Sequence, residues 1–322
     1  CTVNTGTGET RVVCGAPNVE TGGKYPFAPV GTVLPNGLKL KKAKIRGEVS
    51  LGMLCAEDEL GLSDDHEGLM VLDPSLATGT PLAEVLGPPE TVLDLEITPN
   101  RPDCLSLLGV AREVAALYGT PLKRPDDAFV ETGGPVDQQT RVDLQDAEGC
   151  PRYTGRLVRG VHLAETPEWM KRRLVAIGQR PINAVVDCSN YVLHECGQPN
   201  HAFDLARLKG QAIVIRQARA GEHCVTLDGQ DRELQKGNLV IADESGAVAL
   251  AGLMGGQATE VSDETKELLL EVATFDPASV RRMRRALGMS TDASYRFERG
   301  VDPALPEWAQ RRLASLITEC CG

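Results

Sequence analysis

The stretch Cys188-Ser189-Asn190-Tyr191-Val192-Leu193-His194-Glu195-Cys196-Gly197-Gln198-Pro199-Asn200-His201-Ala202-Phe203-Asp204 organises the reading of the whole chain. It opens as a short hydrophobic segment, a strand or the first turns of a helix, and breaks at Gly197. Gln198-Pro199 then imposes an extended turn, because proline fixes its own φ and drives its predecessor out of the helical region. The turn delivers His201, with the polar pair Ser189-Asn190 upstream and the carboxylate Asp204 downstream. That set suits a site in which a carbonyl is held and a water directed. It is also the composition of a structural turn around a satisfied histidine, and a short motif alone does not separate the two.

With 322 residues the chain has room for two or three domains. Hydrophobic residues make up 42% but aromatics only 4%, so the cores are built from Val, Leu, Ala and Ile. No apolar run approaches the ~18 residues of a membrane span. A net charge of −11 argues against broad, non-specific nucleic-acid binding and leaves room for a local basic patch. The ten cysteines include no CxxC pair, so neither structural zinc nor a disulfide scaffold is expected. Reduced, mostly buried thiols in a cytoplasmic protein fit better. The chain opens at Cys1 in mid-pattern, which reads as a fragment of a longer protein.

Residues 1–84 read as all-β. Short apolar runs such as Arg11-Val12-Val13-Cys14 alternate with Gly/Pro turn clusters, the pattern of a small barrel. Lys39, Lys41, Lys42, Lys44 and Arg46 form a cationic run. Alternation places Lys42, Lys44 and Arg46 on one strand face, either a phosphate-tracking strip or an edge strand guarded by lysines. Ser50-Leu51-Gly52-Met53-Leu54-Cys55-Ala56-Glu57-Asp58-Glu59-Leu60-Gly61-Leu62 follows, a glycine-rich turn, a buried Met-Leu-Cys strand and an acidic turn. Over residues 11–72 this resembles the tRNA-binding OB-fold module of several synthetases. The resemblance implies an OB-type β-barrel truncated at its N-terminus.

Residues 85–146 read as a small strand–helix domain and linker. Leu93-Asp94-Leu95-Glu96-Ile97 alternates as a strand, Leu105 to Tyr118 has helical spacing closed by Gly119, and the polar, acidic residues 124–141 read as the linker. Residues 147–322 mix strands and helices without a βαβ rhythm, which indicates an α+β domain. Its expected helices include Pro167 to Ile177, with Thr166 as N-cap, Pro277 to Leu287, and Pro306 to Glu319. Arg152 to Val161 and Glu267 to Ala273 are expected strands.

Three further stretches carry chemistry. Gly252-Leu253-Met254-Gly255-Gly256 is either a close approach of backbone to a ligand, with amides free for an oxyanion, or a tight hairpin. Glu271 sits inside the apolar strand Leu268-Leu269-Leu270-Glu271-Val272-Ala273, where an unpartnered carboxylate is costly. Thr291-Asp292-Ala293-Ser294-Tyr295-Arg296-Phe297-Glu298-Arg299-Gly300-Val301-Asp302-Pro303 carries an Arg-x-x-Arg with acidic partners, which by itself could be a structural ion-pair turn. These motifs, with Asn100-Arg101-Pro102-Asp103-Cys104-Leu105-Ser106 and Gly197-Gln198-Pro199-Asn200-His201-Ala202-Phe203-Asp204, together resemble the beta-subunit family of bacterial phenylalanyl-tRNA synthetases over nearly the whole chain.

The resemblance implies that residues 147–322 are a B3/B4-type editing domain, which hydrolyses tyrosyl ester mischarged onto the phenylalanine tRNA. A hydrophobic pocket rejects an added hydroxyl only ~10²-fold, so a second site that reads the hydroxyl is needed. Glu271 is expected to accept a hydrogen bond from the phenol as a carboxylate. His201 would position or activate the water or the terminal ribose, and Asn190 and Ser189 would hold the amino acid or ester. Gly255 and Pro199 would shape the wall, and Thr291 and Ala293 would line the amino-acid pocket. The family usually has threonine where Ser189 stands and methionine where Asn200 stands.

The resemblance further implies tRNA(Phe) and an alpha subunit as partners, in an alpha2-beta2 heterotetramer. ATP and Mg²⁺ would serve the full ligase, with the aminoacylation site on the alpha subunit, the beta-subunit Mg²⁺ ligands beyond Gly322, and no cofactor or metal in this segment. The alternative is a non-catalytic scaffold that binds tRNA and the partner subunit, with editing lost.

Overall fold

The computed structural model describes residues 1–63, 66–87 and 91–322. Residues 64 and 65, inside the stretch read as a tRNA-binding module, and 88–90, near the start of the stretch read as a small strand–helix domain, lie outside the described residues. The chain divides into two units, Cys1–Thr91 and Val92–Gly322.

The first unit is built from very short strands, because its sequence turns every few residues. β1 (Thr2–Asn4) pairs with β2 (Glu9–Arg11), β3 (Phe27–Pro29) with β6 (Gly52–Leu54), and β4 (Ala43–Ile45) with β5 (Glu48–Ser50), all antiparallel. A main-chain bond from Leu51 N–H to Arg11 C=O joins the β4–β5 and β1–β2 ladders, and one from Cys55 N–H to Pro26 C=O extends the β3–β6 ladder. Val12, Leu54 and Leu69 form one small core, and Ala28, Leu34 and Cys55 another. A one-turn helix, α1 (Leu82–Leu86), follows. Lys39, Lys41, Lys42, Lys44 and Arg46 are all exposed. Of the three cations expected on one strand face, only Lys44 lies in a strand. Lys42 precedes β4, and Arg46 occupies the β4–β5 turn at φ 50°. The hairpin therefore ends before the alternation does.

The second unit is mixed α+β. α2 (Leu107–Tyr118) starts at Ser106, whose hydroxyl accepts the Gly109 N–H, and stops at the left-handed Gly119. The expected strand Leu93–Ile97 is absent. Among the described residues the segment pairs with no other strand, and Leu93 and Leu95 are exposed. Alternation makes a strand only where a sheet edge receives it. The acidic linker is pinned to its own unit. Asp127 pairs with Arg311 (2.8 Å), Glu131 with Arg156 (2.7 Å), and the Phe129 ring lies under both guanidinium groups.

β7 (Arg141–Leu144) then enters a five-stranded sheet. β8 (Arg152–Arg159), α3 (Glu168–Ala176), α4 (Ala184–Cys196) and β9 (Asn200–Asp204) follow. Next come β10 (Ala212–Gln217), β11 (His223–Val225), β12 (Asp231–Glu233), β13 (Leu239–Ala242), β14 (Ala247–Leu250), β15 (Met254–Gly255) and β16 (Glu267–Thr274). α5 (Pro277–Leu287), α6 (Asp292–Phe297) and α7 (Leu305–Cys321) close the unit. The larger sheet has the order β15-β14-β13-β10-β7, with β7 and β10 parallel and the rest antiparallel. The smaller sheet is β8-β16-β9, antiparallel throughout.

Period two divides β16 between two cores. Leu268, Leu270 and Val272 pack with Leu174, Val192 and Leu313 of α3, α4 and α7. Leu269 and Ala273 pack with Ile215, Ile241 and Leu250 of the larger sheet. The helix starts follow local chemistry, as where Asp276 caps α5 ahead of Pro277. At α3 the expected cap fails. The Thr166 hydroxyl donates to Asp187 of α4 (2.5 Å), and Pro167 holds the cap position without a side-chain bond. A buried carboxylate outcompetes the helix end for that hydroxyl.

α4 and α7 are clamped by Glu195 and Arg312, a bidentate pair at 2.8 and 3.1 Å with side chains 7% and 13% exposed. Glu195→Ala leaves the guanidinium without its carboxylate and is expected to cost about 3 kcal/mol. The check is the denaturant midpoint of the purified chain. A shift equivalent to less than about 1 kcal/mol would place this pair with the weak surface bridges.

Candidate functional site

Glu271 interrupts the apolar face that β16 turns toward the larger sheet. Its side chain shares that face with Leu269 and Ala273 and is 5% exposed. His201 of β9 stands directly across the ladder on one side, and Gly155 of β8 on the other. Facing Cβ atoms in such pairs lie ~4.5–5.5 Å apart. Register thus brings together two residues that are 70 positions apart in the chain.

The chemistry of Glu271 differs from the carboxylate expected. Burial pushes its pKa up to about 8, and one hydrogen bond from Tyr153 (hydroxyl to Oε2, 3.4 Å) only partly opposes this. At neutral pH Glu271 is mostly a neutral acid that can both donate and accept. Tyr153 itself is pushed well above the usual phenol range, by burial first and by Glu271 second, so it remains a donor.

His201 is also neutral. Burial lowers its pKa to about 4. Its ring meets Phe203 edge-on at 4.5 Å between centroids, and its Nε2 is buried without a hydrogen-bond partner among the described residues. The ring fits because residue 255 has no side chain. A Cβ there would stand 2.4 Å from His201 Cε1 and 2.7 Å from Nε2.

Between the two sheets, α4 and α6 lies a cavity of about 440 Å³, within the ~300–1,000 Å³ common for small-ligand sites. The eight residues that the resemblance assigns to the editing site, namely Ser189, Asn190, Pro199, His201, Gly255, Glu271, Thr291 and Ala293, line it. Asn190 reaches it from α4, whose first turn is capped by Asn183 and whose end is the left-handed Gly197. The turn is held by Gln198, fully buried, whose amide donates to Ala273 C=O (2.8 Å) and Pro199 C=O (3.0 Å). Ser189 bonds Asn200 C=O at 3.4 Å, and Asn200 returns a bond to Ser189 C=O at 3.1 Å.

Several residues do something other than their sequence context suggests. The Thr291 hydroxyl donates to Leu253 C=O (2.8 Å) and accepts the Ser294 N–H in a capping box, so it clamps the glycine loop to α6. That loop is a tight hairpin. The Leu253 and Gly256 N–H groups donate to Leu250 and Val248 C=O, which removes those two amides as oxyanion donors. Asp204 does not join the cavity. Its carboxylate accepts from Ala206 N–H and the Thr265 hydroxyl and caps a short turn. Arg296 binds Leu105 C=O and Asp292, and Arg299 stacks on Tyr295 and bonds Glu298, so the two arginines are structural, while Thr291, Asp292, Ala293 and Phe297 of the same stretch line the cavity.

Sequence reasoning missed Tyr153, the partner of Glu271, and the apolar lining from Leu227, Met254 and Phe275. Tyr153 and Gly155 share strand parity, but only the β8–β16 register sets them beside Glu271. Among the described residues, Asp103, Cys104 and Glu113 are close enough to hold a metal ion. Arg101 pairs with both carboxylates, at 3.1 and 2.8 Å, and supplies the positive charge there.

A B3/4 domain model matches residues 149–322, and a putative tRNA binding domain model matches residues 1–81. Curated phenylalanine–tRNA ligase beta subunits are similar along the entire chain. The one from Oleidesulfovibrio alaskensis is 49% identical over 322 residues, all of this chain and 40% of that protein. The Salinibacter ruber protein is 50% identical over 338 residues, all of this chain and 41% of that protein. The Geobacter sulfurreducens protein is 49% identical over 322 residues, again 40% of its length. The chain thus spans about two fifths of the relatives it matches. A crystal structure of an N-terminal fragment of the phenylalanyl-tRNA synthetase beta-subunit from Pyrococcus horikoshii aligns with TM-score 0.34 at 16% identity, over 59% of this chain and 58% of that one. That likeness is too low to bear on function.

Proposed function

The chain belongs to the B3/4-domain family, in the branch of phenylalanine–tRNA ligase beta subunits, and from that premise we propose that its second unit edits. The reaction is hydrolysis of tyrosyl ester on tRNA(Phe). The observation that carries this reading is Glu271, a buried acid in the apolar wall of a cavity that also holds neutral His201. A phenol entering the cavity can exchange a hydrogen bond with the acid group of Glu271. A phenyl ring leaves the acid unpaired, at a cost of about 1–3 kcal/mol, which spares the phenylalanyl ester.

In this reading Asn190 and Ser189 hold the amino acid or the ester, and the orphaned imidazole nitrogen of His201 takes a hydrogen bond from the attacking water or the ribose hydroxyl. Water adds to the carbonyl carbon, the bond to the ribose oxygen breaks, and the water's proton ends on that oxygen. An aminoacyl ester is already activated, so positioning and one weak base suffice. Pro199, Gly255, Thr291 and Ala293 shape the wall.

The first unit, with an OB-type barrel and the exposed Lys39–Arg46 run, binds the tRNA. The whole ligase is a cytoplasmic alpha2-beta2 enzyme that uses ATP and Mg²⁺ at an aminoacylation site on the alpha subunit. The test is deacylation of tyrosyl- and phenylalanyl-tRNA(Phe) by the holoenzyme carrying this chain. Fast loss of tyrosine alone is expected, with discrimination lost in Glu271→Ala. Retained tRNA binding with no tyrosine release would leave the non-catalytic scaffold.

A further inference from the structure

Tyr153 donates to Glu271 Oε2 (3.4 Å) yet is not among the residues that line the cavity, so it reaches the acid from behind. On the proposed editing reading, we propose that Tyr153 is a positioning residue for substrate selection: it occupies Oε2 as an acceptor and leaves Oε1 to meet the ring hydroxyl of the substrate.

The geometry supports this in three ways. Glu271 has neighbours in the ladder that offer it no side-chain bond: Gly155 has no side chain, and His201 makes none to it. Tyr153 is therefore the hydrogen-bonding side chain that Glu271 has among the described residues. The β8–β16 register then fixes where that bond comes from. Tyr153 faces Ala273, two residues along the same sheet face from Glu271, within reach of a long side chain across the diagonal. Finally, an acid with one oxygen already accepting a hydrogen bond prefers to carry its proton on the other. The proton then sits on Oε1, where it can be donated to a phenol oxygen. At 3.4 Å the contact is long for an O–H···O bond, so its part is to orient the acid more than to bind it.

Tyr153→Phe removes one oxygen and keeps the ring in the core. In holoenzyme, tyrosyl-tRNA(Phe) deacylation is expected to slow about 3- to 10-fold, the worth of one hydrogen bond. The slow background loss from phenylalanyl-tRNA(Phe) should not change. A structural role would slow both. In a Glu271→Ala background the same substitution should have no further effect on tyrosine release. Unchanged tyrosine release in Tyr153→Phe overturns the inference while leaving the editing reading intact. An equal slowing in the Glu271→Ala background also overturns it, because the tyrosine would then act without the acid. Absence of tyrosine release by the wild type overturns both.

Discussion

Gly255→Ala is expected to lower tyrosyl-tRNA(Phe) deacylation about a hundredfold. The new methyl would fall 2.4 Å from His201 Cε1 and 3.2 Å from Leu227 Cδ1, closer than carbon atoms pack. The imidazole cannot retreat along its own strand, because the Phe203 ring stands edge-on 4.5 Å away. It must swing into the cavity, where it displaces whatever it should position. A misplacement of about 1 Å costs on the order of 10²-fold in rate. Overpacking also costs about 1–3 kcal/mol of stability, so the assay should be run well below the melting temperature of the variant. Single-turnover deacylation reads the effect. A rate within twofold of wild type would mean that the ring does not rest against residue 255 in the working enzyme.

Glu271→Gln is expected to stabilise the protein at alkaline pH. The folded-state pKa of Glu271 is raised from 4.5 to about 8 by burial. Between those values the native protein holds a proton that the unfolded chain has released, so stability falls as pH rises through the window. Integrated, the loss is about 3–5 kcal/mol by pH 8, and it is absent below pH ~4.5. His201 acts in the opposite sense. Its pKa is depressed from 6.5 to about 4, so its contribution falls as pH drops through that range. The two slopes oppose one another below pH ~6.5 and Glu271 acts alone above it. Urea midpoints of wild type and Glu271→Gln should therefore diverge between pH 6.5 and 8, with the variant the more stable. Coincident curves would mean that Glu271 is charged in the native state. The same variant also separates two forms of recognition. Glutamine keeps a donor and an acceptor, so if the neutral acid reads the phenol, Gln retains more tyrosine selectivity than Ala does. Equal loss in both would point to the carboxylate.

The acid at position 271 thus costs stability that an apolar residue would not. A buried ionisable group without a charge partner is unusual in a structural core, and its place in a cavity wall is the reason to look for function there.

Local chemistry determined a large part of this protein without tertiary help. Asp276-Pro277 and Gly288 bound α5, Ser106 and Gly119 bound α2, and Gly197-Gln198-Pro199 ends α4 and starts β9. These are short-range hydrogen bonds and φ restrictions, written within a few residues. The anomaly of a glutamate in an apolar strand was equally visible, and motif resemblance singled out residues that the fold gathers around one cavity.

What only the tertiary structure decided concerns partners distant in sequence. Leu93–Ile97 alternates but finds no neighbouring strand among the described residues, and Thr166 gives its hydroxyl to Asp187 instead of to its own helix. Thr291 spends its hydroxyl on Leu253, and Asp204 turns toward Thr265. The neutrality of Glu271 and His201 and the placement of Tyr153 follow from the β8-β16-β9 register and from the depth of burial it creates. A sequence names the group that could ionise. Desolvation and the facing strand decide whether it does, and both exist only once the two sheets have closed over it.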